Sequence, residues 1–200
     1  SMFAGKLKKY ILQNKTLWLL VLAYIVVRLP LLDHAFLLRG ERDIVLTGYS
    51  LLKTGTDLFG NFMPVQFFGL DQPSPLLSFY FSAIGWVFFP IKSIFFARMP
   101  FLIAGAFNLV FIHEIIRFLT KNKKAALLTA GVFGFSPGMY HLGMLALEIN
   151  LAMPLLLAGL LLYLRQKNVW GWVFLALSFF TYNGFRPLIP FLLVYLEFYE

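Results

Sequence analysis

Apolar stretches at about 16–33, 76–91, 99–119, 125–140, 149–164, 169–182 and 187–196 follow one another along the chain, and beyond residue 76 only short polar or Pro/Gly-containing breaks separate them. A succession of this kind leaves too little polar surface to coat a globule in water. Only 13% of the 200 residues are charged and 60% are hydrophobic, against about 25% charged in an average soluble domain. Mean hydropathy is +0.79. The expected fold is therefore an all-α membrane protein, a polytopic helical bundle whose exterior faces hydrocarbon. The absence of cysteine excludes disulfides, thiolate nucleophiles and Cys-ligated metal centres.

The net charge of +8 would suggest nucleic acid in a soluble chain, but here the basic residues cluster beside the apolar stretches. Lys6, Lys8, Lys9 and Lys15 precede the first stretch, Arg117, Lys121, Lys123 and Lys124 follow the third, and Arg165 and Lys167 follow the fifth. By the positive-inside rule all three clusters are cytoplasmic, and no nucleic-acid partner is expected. The rule is satisfied only if 76–91 does not cross. That stretch is short, is flanked by Pro73, Pro75 and Pro90 and contains Gly85, so it reads as interfacial or re-entrant. About six crossing helices remain, with a cytoplasmic amino terminus and a first outer loop of about 34–97. Within that loop, 43–53 has helical spacing and ends at Thr54-Gly55, as a helix lying on the membrane surface would. Gly131, Gly134 and Gly138 form a small-residue pattern of the kind that joins transmembrane helices in a dimer, with packing inside one bundle as the plainer reading.

Ionisable residues at membrane depth are expensive, which makes them functional candidates. Glu41-Arg42-Asp43 lies shortly after the first stretch, where a carboxylate could act as a general base or hold a divalent cation; a solvated turn is the plain alternative. Glu148 stands alone in the apolar run LALEINLA. Asp71 lies in GLDQPSP, where turn chemistry alone accounts for an Asp. Arg98 (ARMP) and Arg186 (FRP) each stand at the entry to an apolar stretch, placed either to snorkel to bulk lipid or to hold a lipid phosphate. His34 and His141 have no metal-ligand spacing, and His113 beside Glu114 reads as part of a local ion-pair group.

The ordered segments GERDIVLTGYSLLKTG with Gly60-Asn61, DQPSPLLSFY, FARMPFLIAGAFN, SPGMYHLGMLALEIN and TYNGFRPLIP resemble those of membrane-embedded GT-C glycosyltransferases. The likeness is to bacterial relatives of the dolichyl-phosphate-mannose protein mannosyltransferases and of the lipid A aminoarabinose transferases. It covers essentially the whole chain and corresponds to the amino-terminal half of that family's module, so 1–200 reads as a single transmembrane module with a carboxyl-terminal remainder expected. The resemblance implies transfer of a sugar from a polyprenyl-phosphate donor to an acceptor on the outer face. It implies catalytic carboxylates among Glu41, Asp43 and Glu148, which would also hold any divalent cation. Substrate contacts would come from Arg42, Asp71, Arg98, Tyr182 and Arg186. Gly40 occupies the Asp position of the family's Asp-Glu pair, and Met144 stands where many relatives have Arg. The rival expectation is a non-catalytic scaffold or lipid-binding module with the same fold.

Overall fold

The computed structural model describes residue 5 and residues 10–33, 37–64, 67–68, 73–74, 76–88 and 93–199. The chain is mostly helical: α1 (Lys15–Arg28), a 3-10 turn (Leu29–Leu31), α2 (Arg39–Thr54), α3 (Leu76–Phe88), α4 (Ile94–Thr120), α5 (Lys123–Phe135), α6 (Pro137–Leu142), α7 (Glu148–Leu164), α8 (Asn168–Thr181) and α9 (Phe185–Tyr199). A two-residue antiparallel ladder pairs Phe67 with Ser74 and Phe68 with Pro73. Asp71 and His34 lie outside the described residues.

Among the described residues, α4 is the one helix long and apolar enough to cross a membrane; α3, α7 and α8 are shorter apolar helices. At about 1.5 Å per residue its 27 residues span roughly 40 Å. The sequence places the start of this helix at the proline, near residue 99, but it begins five residues earlier. Ser93 is the reason: its hydroxyl caps the helix by accepting from the Phe95 amide, and Pro100 is carried inside. Gly85, expected to interrupt α3, instead lets α3 and α4 meet, because a Cβ there would lie 2.6 Å from the Pro100 ring. The stretch 125–140 is not one helix. Ser136 takes an extended conformation (φ −60°, ψ 145°) ahead of Pro137 and separates α5 from α6, since the residue before proline avoids helical geometry.

The helix expected at 43–53 is α2, which starts at Arg39, four residues before the sequence reading, and stops where expected: Gly55 adopts the left-handed conformation (φ 70°) and donates to the Leu51 carbonyl. Ile44, Val45 and Leu51 on its inner face pack with Phe79 and Trp86 of α3 and with Phe101 of α4. A second core joins Val21 and Tyr24 of α1 to Leu102, Ala106 and Leu109 of α4 and Ala130 of α5. A third joins Ala152 and Leu156 of α7, Leu175 of α8 and Ile189 of α9. The α7–α8 hairpin closes on glycines: a Cβ at Gly159 would meet Leu175 at 2.8 Å, and one at Gly171 the Tyr163 backbone at 3.1 Å.

After α2 the chain turns on Asp57, whose carboxylate accepts from the amides of Phe59 and Asn61 and from the Asn61 side chain, each at 2.9 Å. Burial pushes this carboxyl up, but the bonds from Asn61, Phe59 and Gly60 outweigh it and hold it below the usual carboxylate range. A depressed folded-state value stabilises the loop at pH above the unfolded Asp value of about 3.9, and this stabilisation is lost as pH falls through the lower folded value. Amide exchange protection at Phe59 and Asn61, corrected for intrinsic rates, should therefore collapse below about pH 4 in the native chain. In Asp57→Asn it should be weaker and independent of pH.

Candidate functional site

Glu41 occupies the first turn of α2, and its inward carboxylate meets the guanidinium of Arg98 from the start of α4. The contact is bidentate: Arg98 Nε donates to Oε1 at 2.6 Å and Nη2 to Oε2 at 2.8 Å. Arg98 Nη1 also donates to the Leu32 carbonyl beyond α1 at 2.5 Å, and the Ala146 amide ahead of α7 donates to Glu41 Oε1 at 2.7 Å. Both side chains are fully enclosed (0% exposed). One fork-on-fork pair therefore ties together the end of α1, α2, α4 and the segment leading into α7, and its hydrogen bonds offset the desolvation of both charges.

This corrects two expectations. Glu41, read as an open base or metal ligand, has both oxygens engaged and no solvent path. Arg98, read as snorkelling to bulk lipid or holding a lipid phosphate, is engaged by Glu41 instead. Arg186 is exposed in the first turn of α9, and Tyr182, half-buried at the end of α8, packs edge-to-face on Phe185 with ring centroids 5.1 Å apart. Asp43 is buried one half-turn from Glu41, with the half-exposed Arg42 guanidinium 3.9 Å from its carboxylate. Glu148 begins α7, half-buried, two residues beyond the amide bound to Glu41. The α8 register brings the other end of the hairpin level with it, since Ser178 Oγ donates to the Ala152 carbonyl at 3.1 Å. Glu41, Asp43, Glu148, Tyr182 and Arg186 thus lie towards one end of the bundle. Among the described residues, no group of three or more His, Asp or Glu side chains is arranged to hold a metal ion.

Sequence reasoning missed Arg28. Its fully buried guanidinium donates to the carbonyls of Tyr24 (3.0 Å), Gly134 (2.6 Å), Met139 (3.5 Å) and Tyr140 (3.3 Å), and it sits 3.6 Å from the centroid of the Tyr24 ring. Arg28-Leu29-Pro30 repeats the Arg-x-Pro pattern of Arg98-Met99-Pro100, which was the available signal.

Among the described residues, cavities lie away from the Glu41 pair. An apolar groove of about 680 Å³ runs from Phe81 and Pro100 down the α4 flank between Phe107, Leu151, Pro154 and Phe174. A polar pocket of about 430 Å³ lies at the opposite end of α4, beside Glu114 and Arg117. Compared with known proteins, the chain matches no family model, no curated protein and no solved structure.

Proposed function

We propose that the chain is a multi-pass membrane module that transfers a sugar from a polyprenyl-phosphate donor to an acceptor on the outer face. Membrane embedding is supported by the apolar exterior: Leu19, Val132, Phe180 and Phe191, on four different helices, are 61–76% exposed, an arrangement that water would penalise and hydrocarbon does not. The observation that carries the transferase reading is the Glu41 Oε1 to Ala146 amide contact of 2.7 Å. It ties the first outer segment to the start of α7, with Asp43 and Glu148 close to the joint.

In this reading Asp43 takes the acceptor's proton, Glu148 orients the acceptor and the exposed Arg186 neutralises the departing lipid phosphate. The Glu41–Arg98 pair positions the helices that carry them. The apolar groove, which opens beside Pro100 near the same end, accommodates the prenyl chain. A lipid phosphate is a good leaving group, so positioning and charge neutralisation suffice and no covalent nucleophile is required.

The test is transfer of labelled sugar from a panel of polyprenyl-phosphate hexoses to exogenous acceptors in nanodiscs. Asp43→Asn should lower the rate at least about 100-fold, the usual scale for a positioned base, and Glu148→Gln should lower it as the acceptor loses its orienting group. Arg186→Gln should weaken donor use. No transfer with any donor, alongside retained donor binding, would overturn catalysis. The second reading, a lipid-binding module without turnover, is favoured by the enclosure of Glu41 and by the missing side chain at Gly40. Space around Gly40 is open, so Gly40→Asp fits without displacement and should raise the rate if the first reading holds.

A further inference from the structure

The polar pocket at the far end of α4 contains a charge imbalance that no role proposed above uses. Its wall includes Tyr10, Glu114, Arg117, Lys121 and Arg165, three cations against one carboxylate. Glu114 is already saturated: Arg165 Nη2 donates to it at 2.6 Å, the Tyr10 hydroxyl at 2.8 Å, and His113 Nδ1 lies 3.2 Å away. Burial and the Glu114 bond push the Tyr10 phenol well above its ordinary value, so it remains a donor at any physiological pH. Arg117 lies 3.7 Å from Glu114 and donates to the neutral Asn14 Oδ1 at 3.3 Å, leaving further N–H groups for the cavity. Lys121 has no carboxylate partner among the described residues, and its ammonium rests 4.5 Å from the Phe118 ring centroid.

The negative ends of α4 and α7 also point here, and each counts for about half an elementary charge. Two such ends and one carboxylate against three cations leave a surplus of roughly one positive charge, so the cations do more than complement the helix ends. Lys121 also adopts the left-handed conformation (φ 57°) at a helix end where glycine is the unstrained choice, which sets its side chain against the backbone preference. Phe118 and Leu119 are the last exposed apolar side chains before Lys121-Asn122-Lys123-Lys124, so the pocket lies where an apolar belt gives way to polar surface.

We infer that this pocket binds the phosphate of an anionic membrane lipid, with Arg117 and Lys121 as its ligands and Phe118 against the glycerol end of the chains. The inference rests on membrane embedding and not on glycosyl transfer, so loss of one leaves the other standing.

The test is retention of phosphatidylglycerol by the detergent-purified chain, read by native mass spectrometry against phosphatidylcholine, with inorganic phosphate as competitor. Phosphatidylglycerol should be retained preferentially, and Arg117→Gln/Lys121→Gln should weaken it at least about tenfold, as loss of charge-assisted bonds to phosphate does. Lys121→Gly removes the cation while relieving the left-handed backbone. It should bind the lipid more weakly yet unfold at a higher temperature, a combination that a merely structural lysine would not produce. Equal retention of the two lipids, or unchanged affinity in Lys121→Gly, overturns the site. Displacement by inorganic phosphate at concentrations comparable to the lipid's overturns the lipid as its source.

Discussion

Glu41→Gln should destabilise the protein by about 3–5 kcal/mol, and Arg98→Gln by a similar amount, because each leaves one fully enclosed charge without its partner. The loss exceeds that of an ordinary hydrogen bond of about 1 kcal/mol because it includes the uncompensated desolvation of the remaining ion. In Arg98→Gln the Leu32 carbonyl also loses a donor, and in Glu41→Gln the Ala146 amide faces a weaker acceptor. The double variant Glu41→Leu/Arg98→Met should recover most of the stability, since replacing a whole buried pair by apolar groups is often neutral. Unfolding by SDS titration from mild detergent gives all three values. A double variant that loses the sum of the two single losses would mean that the pair does not act as a unit. The double variant also separates fold from activity: with the helices held but the ion pair gone, any transfer that persists assigns Glu41 a positioning role only.

Arg28→Met should cost about 2–4 kcal/mol, although Arg28 has no carboxylate partner among the described residues. Its guanidinium is held by the Gly134 carbonyl at the end of α5, where the helix dipole is negative and the last carbonyls lack intrahelical partners, and by the Met139 and Tyr140 carbonyls of α6. The Ser136-Pro137 break creates that situation by stopping α5 just beyond Gly134. The faces of Tyr24 and Tyr140, with centroids 3.6 and 4.6 Å from the guanidinium carbon, add cation–π attraction. Methionine keeps the apolar stem but leaves the Gly134 and Tyr140 carbonyls without this donor, at about 1–3 kcal/mol for each group fully buried, while the Met139 carbonyl keeps its bond from the Gly143 amide. Part of that is returned by no longer burying a charge. Arg28→Lys keeps the charge but not the fork, so it should lose roughly half as much. Because Arg28 fixes the chain just ahead of Ala146, Arg28→Met should also loosen the Glu41 contact, seen as faster amide exchange at Ala146. Unchanged exchange there would show that the two clusters are independent.

The helical class, the apolar exterior and the stop of α2 at Gly55 were legible in the sequence, because each depends on composition or on residues within one turn of one another. The α5–α6 break was legible in principle, since Pro137 disfavours helical geometry at Ser136, but the apolar run masked it. The start of α4 shows a local signal outweighed by another: Ser93 supplies a cap, and Pro100 is tolerated two turns in. Glu41, Asp43, Glu148, Arg98 and Arg186 stood out as charges in apolar surroundings, yet nothing near Glu41 in the chain indicates that its partner is Arg98, 57 residues away. Nor does anything local separate Arg98, enclosed, from Arg186, exposed, although both stand beside prolines. That choice follows from how α1, α2, α4 and the segment before α7 pack: a buried charge is stable only where several segments bring complementary groups within about 3 Å at once. The sequence determined which residues needed partners, and the tertiary structure decided which partners they met.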